Sequence, residues 1–172
     1  AVMLSGETAA GEYPVEAVQM MDRIARDAES SEFYVNRRLV GKLEEFRVER
    51  RAVCEAAVQI AREVDADCVV VYTLSGTTAW ILSELRLQRP VFALCPDPAV
   101  CRRLALAHGI IPVNVDYYAN TDDLLHEGDR LLLTNGVVEP GDTIVVVGGT
   151  RQFAGVDNMI QLRRPEVSEV EN

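Results

Sequence analysis

Four short apolar runs recur along the chain: CVVVYT (68–73), VFALC (91–95), IIPVNV (110–115) and TIVVVG (143–148), each separated from the next by a helix-length segment. No other feature restricts the possible folds so strongly. A run that does not alternate apolar with polar cannot keep one face in water. It must be covered on both faces, the condition of a parallel sheet flanked by helices. The segments between the runs predict helices over 77–87, 98–108 and 121–133, the second closed by Gly109 and the third ending at Asn135-Gly136. The run NMIQLRR, residues 158–164, predicts a last edge strand. Strands alternating with helices through short connections define the α/β class. The expected architecture is a three-layer, doubly wound, mostly parallel five-stranded sheet.

The first part of the chain has another character. AVML reads as the end of a buried strand, followed by a turn over 5–13 and a helix from Pro14 to about residue 30. Proline is well placed at a first helical position, because that N–H has no intrahelical partner anyway. Val18, Met21, Ile24, Ala25 and Ala28 recur at helical spacing and form one apolar face. Residues 31–50 are highly charged and read as a partly helical linker. Residues 51–165 form the α/β domain, which opens on a helix over about 49–64. The acidic end, 166–172, reads as a frayed tail. A strand at 1–4 needs a partner for its backbone groups. Without neighbours it is expected to lose its geometry.

Composition narrows the function. At 172 residues and 48 % hydrophobic, the chain can bury one proper core. A formal net charge of −10 opposes nucleic acid and anionic membrane surfaces as partners. No apolar run approaches the ~18 residues of a membrane span. Cys54, Cys68, Cys95 and Cys101 show no CxxC spacing and accompany only two histidines. Zinc is therefore not expected, and the reading is a cytoplasmic protein with free, mostly buried thiols.

Two loops carry the candidate chemistry. TLSGTTA (73–79) follows the first domain strand and opens a helix, so Thr73, Leu74, Ser75, Gly76, Thr77 and Thr78 stand where free N–H groups and the helix dipole favour an anion. Ligands of open α/β sheets collect at the carboxyl ends of the strands, where this loop lies. The spacing equally allows Ser75 or Thr77 simply to cap the helix. It matches neither GxxxxGK[ST] nor GxGxxG. The second loop, GGTRQFAGVD (148–157), follows the fourth strand on the same rim. Arg151 can reach an anion held there and Gly155 can let the loop fold over it, or the segment is a plain connection. Cys95, at a strand end in LCPDP, is either a small buried hydrophobe or the thiol of a stand-alone α/β enzyme. No nucleophile–base pair is visible around His108 or His126.

AVMLSGETAAGEYPVEAV resembles the pyruvate kinase family where its catalytic (β/α)8 barrel finishes, at Met3, Leu4, Ser5, Gly6, Glu7, Thr8, Ala9, Gly11, Tyr13 and Pro14. The resemblance continues through ARDAESSEFY, TLSGTTA, GIIPV, EPGD and NMIQL, over essentially the whole chain. It implies that Ala1 is a truncation point inside a barrel whose earlier strands, with the catalytic lysine and the ligands for Mg²⁺ and K⁺, are not in this sequence. Ser5, Glu7 and Thr8 would then stand at the active-site rim of an intact enzyme transferring phosphoryl groups from phosphoenolpyruvate to ADP. This chain would hold no cofactor and would not be catalytic alone. The resemblance also implies an effector phosphate on Thr73–Thr78, with residues 150–157 folding over it. A homo-oligomer is implied as well, tetrameric in the intact enzyme and dimeric for this segment. Members activated by a bisphosphate often carry a basic residue in the first loop, where Leu74 and Thr77 are uncharged. The third helix starts with the acidic NTDDLL. These departures favour a monophosphate. The alternative is an effector-free oligomerisation domain.

Overall fold

The computed structural model describes residues 2–31, 48–117, 120–148 and 159–166. The chain divides into two compact units, residues 1–39 and 40–172. The first holds α1 (Gly6–Ala9) and α2 (Pro14–Glu29). The second holds, in order, α3 (Val48–Glu63), β1 (Cys68–Tyr72), α4 (Thr77–Glu84), β2 (Val91–Cys95), α5 (Pro98–Leu104), β3 (Ile110–Asn114), α6 (Thr121–Thr134), β4 (Ile144–Gly148) and β5 (Met159–Arg163).

In the first unit the expected strand is absent: residues 2–4 adopt no regular structure, and the described strands all belong to the sheet of the second unit. An extended segment with no neighbour has nothing to take its ladder hydrogen bonds. Within this unit α2 buries no residue, and Val15, Val18 and Ile24 are exposed, so its apolar stripe is uncovered.

The second unit is built on one five-stranded sheet of order β3-β2-β1-β4-β5. β1 to β4 run parallel, and β5 joins β4 antiparallel in the register Ile144↔Arg163 to Gly148↔Met159. Every residue of β1, β2 and β4 is buried, as the unbroken apolar runs require. The strand period of two divides them between faces. Val69, Val71, Val91, Ala93, Val145 and Val147 pack with α3, α4 and α5, whereas Cys68, Val70, Tyr72, Phe92, Leu94, Ile144 and Val146 pack with Leu125 and Leu132 of α6. The result is a three-layer, doubly wound α/β domain.

The helices after β1 and β2 are shorter than the periodicity predicts. α4 stops at Glu84 because Arg86 turns left-handed, at φ 51°, a conformation no glycine announces. α5 stops at Leu104. The backbone then tightens through Leu106 N–H to Arg103 O and Ala107 N–H to Leu104 O, so Gly109 (φ 70°) serves the turn into β3 and not the helix end. The expected linker lies mostly outside the described residues, at 32–47, and the tail lies outside them at 167–172.

The thiols also differ from expectation. Cys54 and Cys68 are buried thiols outside any disulfide, but Cys95 and Cys101 form one. The strand β2 ends at Cys95, and the PDPAV turn brings α5 back over it until the two Cα atoms are 6.5 Å apart, within reach of a disulfide. The sequence reading had all four thiols free; the β2–α5 turn makes Cys95 and Cys101 neighbours.

Burial pushes the Cys68 thiol from 9.0 up to about 12, helped by the charges of Asp67 and Asp142, and burial raises the Tyr72 phenol in the same direction. Above pH 9 the unfolded chain has lost a thiol proton that the folded chain keeps. The folded state then binds more protons, and stability falls as pH rises. Urea unfolding between pH 8 and 11 is expected to show stability dropping by up to about 1.4 kcal/mol per pH unit per group. Cys68→Ala should remove the earlier part of that decline; an unchanged slope would refute the assignment.

Candidate effector site

The order β3-β2-β1-β4-β5 places the reversal of chain direction across the sheet between β1 and β4, so their carboxyl ends flank the crevice in which such sheets bind ligands. The segment 73–76 leaves β1 there. Thr73 N–H still donates to Leu94 O (3.1 Å), which ties the loop to β2. The Thr73 hydroxyl is buried and accepts the Gly76 N–H at 3.0 Å. Gly76 is the N-cap of α4, left-handed at φ 84°, and no side chain caps the helix. A Cβ at Gly76 would meet Val100 Cγ1 at 3.2 Å and Leu104 Cδ2 at 3.4 Å. Glycine is therefore needed twice, for its dihedral and for the close approach of α5.

The hydroxyls divide into two pairs. Thr73 and Thr78 are buried, 7 % and 3 % exposed, and belong to the loop's own framework. Ser75 is exposed and Thr77 half-buried, and their oxygens lie 3.0 Å apart. The Thr77 N–H points at the Ser75 oxygen from 3.4 Å. These two hydroxyls and the first-turn N–H groups of α4 make the outward donor set of the crevice. Leu74, 66 % exposed, adds no charge. The capping alternative is thus only partly realised: Ser75 touches an N–H of the first turn, but the cap position itself is glycine.

A cation that the sequence did not single out also stands here. Arg103, on α5, donates from Nη2 to Ser75 O at 3.5 Å, and among the described residues it pairs with no carboxylate. Only the packing of α5 under the loop brings it near. Arg151 and Gly155 lie outside the described residues; Gly148 and Met159, which bracket that segment, pair with each other at the end of β4.

On the other face Tyr72, the residue before the loop, donates its hydroxyl to Leu124 O of α6 at 2.9 Å, and Asp129 of α6 pairs with Arg163 at the end of β5. Nothing in the strand pattern distinguished Asp129 or Arg163 from surface charges.

Ser5, Glu7 and Thr8 stay together in the first unit. Ser5 N–H donates to Glu7 Oε2 (3.0 Å), and the Thr8 hydroxyl donates to Ser5 O (3.2 Å). Backbone N–H groups of Glu7 and Ser5 hold the Glu7 carboxyl below its usual range. Cys95 is fully buried and bonded to Cys101, so it offers no thiolate, and the stand-alone thiol enzyme is excluded for this form of the chain. Among the described residues no group of three His, Cys, Asp or Glu is placed to hold a metal ion, and no helix is long and apolar enough to cross a membrane.

A mostly parallel five-stranded sheet with helices on both faces makes this unit a doubly wound α/β domain. The family model described as the pyruvate kinase alpha/beta domain matches residues 51–162, and the chain belongs to the pyruvate kinase family. A pyruvate kinase of Bacillus licheniformis is 34 % identical over 165 residues, 94 % of this chain and 28 % of that protein. One from Agrobacterium vitis is 35 % identical over 173 residues, 100 % of this chain and 36 % of that protein. The solved structure of a pyruvate kinase from Cryptosporidium parvum superposes with a TM-score of 0.73 at 26 % identity, over 96 % of this chain and 33 % of that one. This chain spans about a third of the length of the curated relatives it matches.

Proposed function

We propose that the second unit is the effector-binding and assembly domain of a pyruvate kinase, taking a phosphorylated metabolite, preferably a monophosphate, in the crevice between β1 and β4. The observation that carries this reading is the outward pair Ser75 and Thr77 at the start of α4, on the rim that the topology marks for ligands. The uncharged Leu74 and Thr77 in the loop and the acidic Asp122 and Asp123 in the first turn of α6 favour one phosphate group over two. Arg151 and Gly155 complete the reading from the segment after β4.

The first unit fits the last β-α segment of a catalytic barrel. The uncovered stripe of α2 is the face that neighbouring barrel helices would cover. In the whole enzyme Ser5, Glu7 and Thr8 stand at the active-site rim, and phosphoryl transfer from phosphoenolpyruvate to ADP belongs to barrel residues outside this sequence. The family implies Mg²⁺ and K⁺ for that reaction. Among the described residues no three His, Cys, Asp or Glu gather to hold a metal ion, so these ions are assigned to the barrel. The setting proposed is a cytoplasmic homo-oligomer joined through these domains.

Thermal unfolding with ribose 5-phosphate, glucose 6-phosphate, AMP, fructose 1,6-bisphosphate and sulfate tests the reading. A cognate monophosphate at ~100 times its dissociation constant should stabilise the domain by about 2.7 kcal/mol. Ser75→Ala with Thr77→Ala should abolish the shift while leaving the unliganded chain folded, since neither side chain is in the core. Absence of a shift with every ligand would leave the effector-free assembly domain, which the uncharged loop favours.

A further inference from the structure

The disulfide stands where it can act on the crevice. Cys95 ends β2 and is fully buried; Cys101 sits within α5 and is half-buried. The same short helix supports the loop after β1: Val100 and Leu104 fill the space beneath Gly76, and Arg103 donates to Ser75 O. Cys101 lies between Val100 and Arg103, so the covalent bond that holds α5 to the end of β2 lies among the contacts that hold the loop. The disulfide is the covalent tie between α5 and β2 at that end, beside the core packing of Val100 and Leu104. Asp97 accepts the Ala99 N–H (2.8 Å), a bond within the turn itself, while Asn114 Nδ2 and Val115 N–H donate to the Cys95 carbonyl, which Cys101 Sγ also approaches at 3.6 Å.

We propose that Cys95 and Cys101 form a reversible thiol–disulfide switch that sets the order of the 73–78 loop. A low-molecular-weight thiolate attacks the Cys101 sulfur, the more accessible of the two, and Cys95 leaves as a thiolate that takes up a proton. A second thiolate then displaces Cys101 from the mixed disulfide and leaves as the small-molecule disulfide. Two electrons pass from two small thiols to the protein, and both cysteines end as thiols. Reduction removes the covalent tie of the first turn of α5 to β2 while Val100 and Leu104 stay in the core, and the support that this turn and Arg103 give the loop loosens. The bond encloses only six residues of separation, so its opening acts locally and leaves the sheet intact. Cys54 and Cys68 take no part. Both are buried on other elements, in α3 and β1. That the switch also governs effector affinity rests on the effector reading above; the switch itself does not.

The test uses the 172-residue chain in dithiothreitol or its oxidised form, acid-quenched, freed of the small thiol and then alkylated by iodoacetamide in denaturant at about pH 8, where the thiolate is present. Of four cysteines, two should label in the oxidised chain and all four in the reduced chain. Amide exchange at Gly76, whose N–H donates to Thr73 Oγ1, should be about tenfold faster after reduction, while exchange in β1 and β4 is unchanged. Cys101→Ser should exchange at the reduced rate in both buffers. Four labels in the oxidised buffer, or a Gly76 rate indifferent to reduction in the wild-type chain, overturns the proposal, and the wild-type comparison needs no variant to fold. Ribose 5-phosphate is titrated in both states to separate the two readings. If neither it nor the other ligands named above bind either state while Gly76 responds, the effector reading fails and the switch stands; if one binds both states alike while Gly76 does not respond, the reverse holds.

Discussion

Gly128→Ala is expected to destabilise the α/β domain by about 2 to 3 kcal/mol, lowering its melting temperature by roughly 10 °C. In an ordinary helix interior the same change would gain about 1 kcal/mol, because alanine loses less backbone freedom than glycine. Here the added Cβ would lie 2.0 Å from the Tyr72 hydroxyl, 3.2 Å from its Cζ and 3.3 Å from Leu94 Cδ1. Tyr72 must move, which breaks its bond to Leu124 O and leaves a buried hydroxyl unsatisfied. The cause can be isolated with a double-mutant cycle. Tyr72→Phe removes the closest atom, so adding it to Gly128→Ala should recover about 1 kcal/mol relative to Gly128→Ala alone. Additive losses, or a Gly128→Ala chain as stable as the wild type, would show that the tyrosine is not what excludes the side chain.

The second large effect is expected at Asp129. Its side chain is 12 % exposed and faces Arg163, 25 % exposed, whose Nε is buried without a partner. Removing the carboxylate by Asp129→Ala leaves a largely buried guanidinium uncompensated, at about 3 kcal/mol. Replacing both, Asp129→Ala with Arg163→Met, removes the stranded charge and should restore much of the loss. Because Arg163 ends the edge strand, amide exchange in β5 should accelerate in the single variant more than in β1. Chemical unfolding of the three variants decides it: if the double variant is no more stable than Asp129→Ala, the buried charge is not the source of the loss.

The fold was largely legible because its signals are local. Unbroken apolar runs predict strands buried on both faces, and β2 was read with both ends correct. Helix ends were read less well where the stop signal is a non-glycine turn, as at Arg86, or a tightening backbone, as after Leu104. The candidate loop was legible for the same local reason, since strand, glycine turn and hydroxyl-rich helix start are contiguous. What the loop consists of chemically was not. Four hydroxyls looked equivalent in sequence, yet Thr73 and Thr78 turn inward and only Ser75 and Thr77 turn outward, because α5 packs under Gly76.

By itself the sequence determined the class of fold and the family, and marked the loop after β1 as the candidate site, all from patterns a few residues long. The tertiary structure alone decided the rest. It paired Cys95 with Cys101, brought Arg103 to the loop, closed Tyr72 onto Gly128 and joined Asp129 to Arg163. The last two join residues 56 and 34 positions apart. Such contacts depend on which helix lies over which strand. That is settled by burying two faces of one sheet at once, and no single segment of the chain carries the information.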